Sequence, residues 1–289
     1  MTLARLAPRD PFAGGIADRD FPRFSKLIYE ACGIKLPPHK KSMLETRLRK
    51  RLRALELGSF DEYARYLFDS SGLKDELVNL IDVVTTNKTD FFREAAHFDY
   101  LAQVAVPKLI AGGGAGIRRP LRIWSAGCST GEEAYTLAMV LSEIAESNGD
   151  FQFSILATDI STQVLEKARL GIYAAARAEM IPANLKKKYL MRGTGERQGS
   201  VRVVPELRAL VSFRHLNFMA DDFQITQAPD VIFFRNVMIY FDRPTQERLL
   251  RRFSGLLGAG GFLFLGHSET LNGMSLPFSQ EAPSVYRVG

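Results

Sequence analysis

A turn bracketed by glycines and followed by paired acids is the segment of this sequence best suited to chemistry. Leu121-Arg-Ile-Trp-Ser125 has the apolar run of a buried strand, and Ala126-Gly127-Cys-Ser-Thr-Gly131-Glu132-Glu133 leads from it into a helical pattern. Glycines at such a turn let the chain reverse sharply and let a ligand approach the main chain. The spacing is Gly-x-x-x-Gly, not the Gly-x-Gly-x-x-Gly of dinucleotide folds, and Glu132 and Glu133 would repel a pyrophosphate at the helix N-terminus. They suit a ligand carrying an ammonium and a sulfonium; the alternative is that they only complement the helix dipole. The next apolar run, Phe151–Ala157, ends in Thr158-Asp159. A carboxylate there is placed to accept hydrogen bonds from ribose hydroxyls, or else to cap a turn. The two strand ends together point to an adenosyl ligand.

Other chemistries lack their residues. Cys32 and Cys128 are far apart, and His39, His97, His215 and His267 form no ligand spacing, so the expectation is chemistry without a metal in a reducing cytoplasm. No apolar run is long enough to cross a bilayer and the N-terminus lacks a signal-peptide core, so a cytoplasmic chain without membrane insertion is expected. The net charge of +6 and pI near 9.3 invite an acidic partner.

The elements that must position these residues fall into two styles. Residues 1–19 read as a loose tail, and 20–86 as a small all-helical domain. Within it Leu44, Leu48, Leu52 and Leu55 recur at helical spacing over Lys40–Leu55, and Ser59 with Glu62 begins the next helix. Residues 87–120 read as a linker and connecting helix. From 121 to 289 short apolar strands (Leu121–Ser125, Phe151–Ala157, Asp230–Phe234, Phe262–Leu265) alternate with helices (Glu132–Ala145, Thr162–Leu170, Pro244–Gly258), the pattern of an α/β domain with a parallel sheet covered on both faces. Val285–Val288 reads as a last strand. Glycine-rich turns between Leu190 and Phe218 suggest an antiparallel excursion, set at about 190–213.

Four segments in order then match one known family. Thr85-Thr86-Asn87-Lys88-Thr89-Asp90-Phe91-Phe92-Arg93-Glu94, Trp124 to Glu133, Arg235-Asn236-Val237-Met238-Ile239-Tyr240-Phe241 and Gly266-His267-Ser268-Glu269 resemble the motifs of the CheR-type receptor glutamate O-methyltransferases, and Met191-Arg-Gly193-Thr-Gly195 resembles their inserted β-subdomain. The similarity runs from about Phe21 to Val288. It implies an N-terminal helical domain followed by a class I (Rossmann-like) methyltransferase domain with a small antiparallel insertion. It also implies S-adenosylmethionine as cofactor, S-adenosylhomocysteine as product, and glutamates of methyl-accepting chemotaxis receptors as substrate in receptor adaptation. Carried over, the cofactor contacts are Asn87, Thr89, Arg93, Gly127, Glu133, Asp159, Asn217 with Phe218, and Asn236 with Val237; Glu132 stays open as the alternative to Glu133. Ala134 stands where the family often has Pro, and both suit a first helical turn.

The implied reaction needs few groups. A glutamate carboxylate, with an ordinary pKa of about 4.3, is already a nucleophile at neutral pH. Alignment and removal of water then carry most of the catalysis. Arg93 and Tyr240 are the candidates for orienting the carboxylate. On the Lys40–Leu55 helix, Arg47, Arg49, Lys50 and Arg53 lie off the leucine stripe as a candidate receptor face, while Arg51 lies on it. The inserted segment around Gly193 and Gly195 resembles the part of that family that, in some members, captures a receptor C-terminal tail by strand addition. A nucleic-acid methyltransferase would suit the positive charge, but Arg235-Asn236-Val237-Met238 is not the Asp/Asn-Pro-Pro-aromatic of amino-methylating enzymes, and Cys128 sits in the cofactor turn. A non-catalytic cofactor sensor and a nicotinamide dehydrogenase are the other readings; intact cofactor motifs oppose the first, and the glycine spacing with its acidic loop opposes the second.

Overall fold

The computed structural model describes residues 14–70 and 72–289. They form two compact units, one ending at Thr86 and one running from Asn87 to Gly289. Most of the expected N-terminal tail, residues 1–13, lies outside the described residues. Its last part is not loose: Ile16 is buried and its N–H donates to Glu45 Oε1 at 2.9 Å.

Among the described residues the first unit holds four α-helices, α1 (Phe21–Cys32), α2 (Lys41–Ala54), α3 (Phe60–Phe68) and α4 (Gly72–Val84). The leucine stripe of α2 buries Leu44, Leu48 and Leu52, and Ser59 caps α3 by accepting from the Glu62 N–H. Arg51, on that stripe, makes two bonds of 2.6 and 2.7 Å to Glu76, which also accepts from the Tyr63 hydroxyl. A carboxylate that is 2 % exposed is thus neutralised and hydrogen-bonded inside the unit.

In the second unit, α5 (Ala96–Tyr100), a looser π turn and α6 (Val106–Gly113) precede β1 (Leu121–Ala126), α7 (Glu132–Ser147), β2 (Phe153–Asp159) and α8 (Thr162–Leu170). There follow β3 (Ile172–Ala174), α9 (Ala183–Tyr189), β4 (Leu190–Arg192), β5 (Ser200–Val203), α10 (Pro205–Ala209), β6 (Val211–His215), β7 (Val231–Phe234), α11 (Arg243–Leu257), β8 (Phe262–Leu265), β9 (Phe278–Ala282) and β10 (Val285–Val288). The main sheet has the order β6-β2-β1-β7-β8-β10-β9, parallel through β8, with β10 and β9 antiparallel at the far side. Alternate residues of its central strands enter opposite cores: Ile123, Val231, Phe233, Phe262 and Phe264 on one face, Trp124, Ile232, Phe234, Leu263 and Leu265 on the other. A strand buried on both faces reads as an unbroken apolar run.

Two features differ from the sequence reading. The segment 87–120 is no separate linker, since Phe91, Phe98, Leu101, Ala105, Val106 and Ala115 belong to the second unit's core. The antiparallel excursion is a three-stranded sheet ordered β3-β5-β4, so it draws in Ile172–Ala174. Val211–His215 is not part of it; it pairs with β2 as the parallel edge of the main sheet. Three-residue strands carry no periodicity by which to recognise such partners.

Candidate active site

The glycine turn leaves the carboxyl end of β1, next to the ends of β2 and β7, where ligands bind in open α/β sheets. Gly127 has φ +86°, and its N–H and that of Cys128 both donate to the Thr158 carbonyl, at 2.8 and 2.9 Å. A Cβ at Gly127 would lie 2.5 Å from Val237 Cγ2. Asp159 ties this turn to β2: its Oδ2 accepts the Ser129 N–H at 2.8 Å and its Oδ1 the Ser161 N–H at 2.9 Å. Asp159 therefore fills the turn-capping role at the end of β2. The Ser129 hydroxyl donates to the Asn87 carbonyl, bringing Asn87 to the same turn.

The paired acids are held differently. Glu132, 1 % exposed, forms an ion pair with Arg177 and accepts from the Thr130 hydroxyl. Arg177 also donates to the Thr89 carbonyl, so Thr89 is fixed through its main chain. Glu133 accepts from the Ser125 hydroxyl at 2.7 Å and from Arg235 at 3.0 Å. Burial pushes the Glu133 carboxyl above the ordinary carboxylate range, against the pull of Arg235 and Ser125.

Arg235 is the hub that the sequence reading did not single out. It is 6 % exposed, pairs with Glu94 as well as Glu133 at 3.0 Å each, donates to the Arg93 carbonyl, and lies over the Phe98 ring. Against burial, which would raise it, Arg235 and His267 hold the Glu94 carboxyl below its usual range. The signal was a lone arginine directly after the all-apolar strand Val231–Phe234. Arg93 itself donates to the Lys88 carbonyl at 3.1 Å and is half-buried. Among the described residues no carboxylate lies within ion-pair distance of Arg93.

Asn236 and Val237 follow β7 into a short helical turn, Met238–Tyr240, where Ile239 is exposed and Tyr240 half-buried. The Asn217 side chain accepts the Met219 N–H at 2.9 Å. The Phe218 ring is buried among Trp124, Phe223, Phe234 and Phe253, a core aromatic whose main chain alone is left to meet a ligand. Among the described residues seven non-glycines have positive φ, and four of them, Phe92, Glu94, Ser129 and Asn236, sit in these loops. Strained backbone of this kind collects at functional sites.

Glu94, His97 and His267 bring potential metal-ligand atoms within 4.8 Å of one another, a grouping not visible in their spacing. Arg235 already occupies the shared Glu94 oxygen, so a dication there would face a guanidinium. Burial, with Arg235 nearby, lowers the His97 pKa from 6.5 to about 4. A base whose pKa is depressed on folding contributes stability that is present above the unfolded value and is lost as pH falls through the folded one. His97 is therefore expected to withdraw about 3 kcal/mol between pH 6.5 and 4. Urea unfolding across that range should show a shallower loss in His97→Gln than in the wild type; equal slopes would contradict this.

The arrangement is that of a known protein type. The sequence model of the CheR methyltransferase SAM-binding domain matches residues 87–286, and that of the CheR methyltransferase all-alpha domain matches 19–85. The chain belongs to the CheR methyltransferase family. Chemotaxis protein methyltransferase 2 of Pseudomonas aeruginosa is 47% identical over 250 residues, which cover 86% of each chain. The chemotaxis protein methyltransferase of Klebsiella aerogenes is 43% identical over 287 residues, covering 98% of this chain and 93% of that one. That of Escherichia coli is 41% identical over 271 residues, covering 94% and 91%. As a CheR methyltransferase the chain is an S-adenosylmethionine-dependent enzyme with an α/β cofactor domain and an all-helical N-terminal domain. The acidic residues fit a cofactor with a cationic end: Glu132 and Glu133 both lie in the first turn of α7, next to the glycine turn that follows β1. No described helix is long and apolar enough to cross a membrane.

Proposed function

We propose that this CheR methyltransferase esterifies glutamate side chains of chemotaxis receptors, taking the methyl group from S-adenosylmethionine. One observation carries the reading: Arg93 is a half-buried cation with no acid partner among the described residues, whereas the nearby Arg235 and Arg177 are each paired. A guanidinium left unpaired in an acidic site suits an incoming carboxylate, which it can grip through two donors. The chemotaxis names of relatives matched along nearly the whole chain support the same substrate.

When bound, the cofactor supplies an electrophilic methyl on a cationic sulfur. Asn87, Thr89, Arg93, Gly127, Glu133, Asp159, Asn217, the main chain of Phe218, Asn236 and Val237 form its cradle, with Glu133 rather than Glu132 taking the ammonium. Arg93 and the Tyr240 hydroxyl hold the acceptor carboxylate in line. No side chain needs to remove a proton, because the nucleophile is already ionised at neutral pH.

The decisive experiment is transfer of labelled methyl groups to receptor cytoplasmic fragments, followed by mild alkali. Label entering the receptor and leaving as methanol supports a carboxyl ester; cofactor binding with an unlabelled receptor rejects the reading. Receptor docking is assigned to the basic face of α2. Lys50 and Arg53 are its exposed members and Arg49 is half-buried, while Arg47 donates to the Val84 carbonyl and the Thr86 hydroxyl and so also anchors the end of α4. Lys50→Glu with Arg53→Glu should raise the KM for receptor about tenfold at low salt, less at high salt, and leave cofactor affinity alone. An unchanged KM would exclude that face. The β3-β5-β4 sheet, whose β4–β5 turn contains Gly193 and Gly195, offers outer strands for a receptor C-terminal tail.

A further inference from the structure

Glu269 is a buried carboxylate to which the reaction assigns no role. It lies in the turn after β8, is 4 % exposed, and spends its oxygens on the main chain of its neighbours. Oε2 accepts the N–H of Gly266 at 2.7 Å, in its own turn, and that of Asn236 at 2.8 Å, at the end of β7. Oε1 accepts the N–H of Ile239 at 3.3 Å, one turn further along the same loop. One carboxylate thus grips both ends of the Asn236–Ile239 segment.

That segment needs a grip. Asn236 has φ +59°, in the left-handed region that a non-glycine residue adopts only at a cost. Its side chain is pressed so closely on Gly266 that a Cβ there would collide with the Asn236 amide nitrogen and main chain. Left free, the loop would be drawn toward ordinary backbone angles and away from the set positions of Asn236, Val237 and Tyr240. Several N–H donors meeting at a buried anion form charge-assisted bonds, about twice as strong as neutral ones. Burial raises the Glu269 pKa while the four amides of Gly266, Asn236, Ile239 and Met238 oppose the rise.

We propose that Glu269 is a positioning residue that locks the Asn236–Tyr240 turn, so that cofactor contacts and acceptor hydroxyl are set in register by one carboxylate. This rests on the reading of Asn236, Val237 and Tyr240 given above. Glu269 touches neither substrate nor cofactor; it acts through the backbone of residues that do. Glutamine in its place keeps the shape but turns one acceptor into a donor, which meets an amide N–H head-on.

Glu269→Gln should weaken S-adenosylmethionine binding about tenfold by calorimetry, and lower kcat by ten- to a hundredfold, the scale of an ångström's misplacement. Its circular dichroism spectrum should stay that of the wild type. A structural defect alone would lower the melting temperature and the active fraction without altering cofactor affinity per folded molecule. Combination with Tyr240→Phe separates the two halves: the kcat losses should overlap, with Glu269→Gln costing no more than about threefold in the Tyr240→Phe background, while the affinity loss persists. Wild-type affinity in Glu269→Gln, or kcat losses that multiply in full, would overturn the proposal. Should Tyr240→Phe alone turn over normally, the acceptor role of Tyr240 falls, and the affinity of Glu269→Gln still decides the role of Glu269. Should Glu269→Gln not fold, hydrogen exchange of the wild type decides: the Asn236 and Ile239 amides must be protected before cofactor is added, and protection that appears only with cofactor counts against a preset turn.

Discussion

Replacing Arg235 with methionine should cost the fold about 3–5 kcal/mol, the usual penalty for stripping one partner from buried ion pairs. Methionine fills much of the space over Phe98 and Phe233, so lost volume is not the main effect. The damage is electrostatic: Glu94 and Glu133 lose a cation at 3.0 Å each, and the Arg93 carbonyl loses its donor. Burial already raises the Glu133 pKa; removing Arg235, which opposes that rise, should push it up further and weaken its attraction for the cofactor's ammonium. Urea denaturation and calorimetry with S-adenosylmethionine should therefore report losses together. Adding Glu94→Gln to Arg235→Met should restore part of the stability, because it removes one stranded charge, but little of the affinity, because Glu133 remains alone. Arg235→Lys should recover less than half of either, since an ammonium cannot span acceptors that the planar guanidinium reaches together. A stability loss below about 1 kcal/mol in Arg235→Met would refute the account.

Gly127→Ala is expected to reduce cofactor affinity at least a hundredfold with only a modest loss of stability. The methyl group meets two separate obstacles. A φ of +86° costs an L-residue roughly 1–2 kcal/mol. The new Cβ also falls 2.5 Å from Val237 Cγ2, so the glycine turn and the loop after β7 must move apart, and both carry proposed cofactor contacts. Trimming the second obstacle in Gly127→Ala/Val237→Ala should recover part of the affinity and leave the backbone penalty. Gly149→Ala, where an added Cβ meets nothing within 4 Å, is the control and should bind as the wild type does. Near-normal binding by Gly127→Ala would mean that the turn is not tightly fitted to Val237.

Much of this architecture was legible because it is local or doubly buried. Phe262–Leu265 is four apolar residues in a row and is a fully buried strand; the glycine turn and Asp159 declared themselves by lying where apolar runs stop. What stayed hidden depends on partners remote in the chain. Nothing near Glu132 announces that Arg177 will neutralise it, or near Glu133 that Arg235 will reach it, so only the folded chain separates the two acids. Val211–His215 follows the antiparallel excursion and shares its apolar-polar mix, yet its pairing is with β2, more than fifty residues earlier. His97 and His267 show no ligand spacing in the sequence, yet their rings lie 5.1 Å apart because the helix after Arg93 and the turn after β8 converge. Glu269 stood inside a recognised motif, but no motif states that its oxygens serve the main chain of another loop.

The strand order sets a timetable for synthesis. The β1 strand, which feeds the glycine turn, lies between β2 and β7, and the N–H of Arg122 on β1 donates to Asp230 at a separation of 108 residues. A chain emerging from the ribosome can therefore assemble its first unit from neighbouring helices long before the centre of the second can close. The β10 strand lies between β8 and β9 and follows every other strand of the sheet in the sequence, so that side of the sheet closes after the rest. Pairings of such long range are slow to form and leave apolar strand edges exposed meanwhile. A cofactor seated at the carboxyl end of β1 would thus find its site complete only after β7 has joined the sheet.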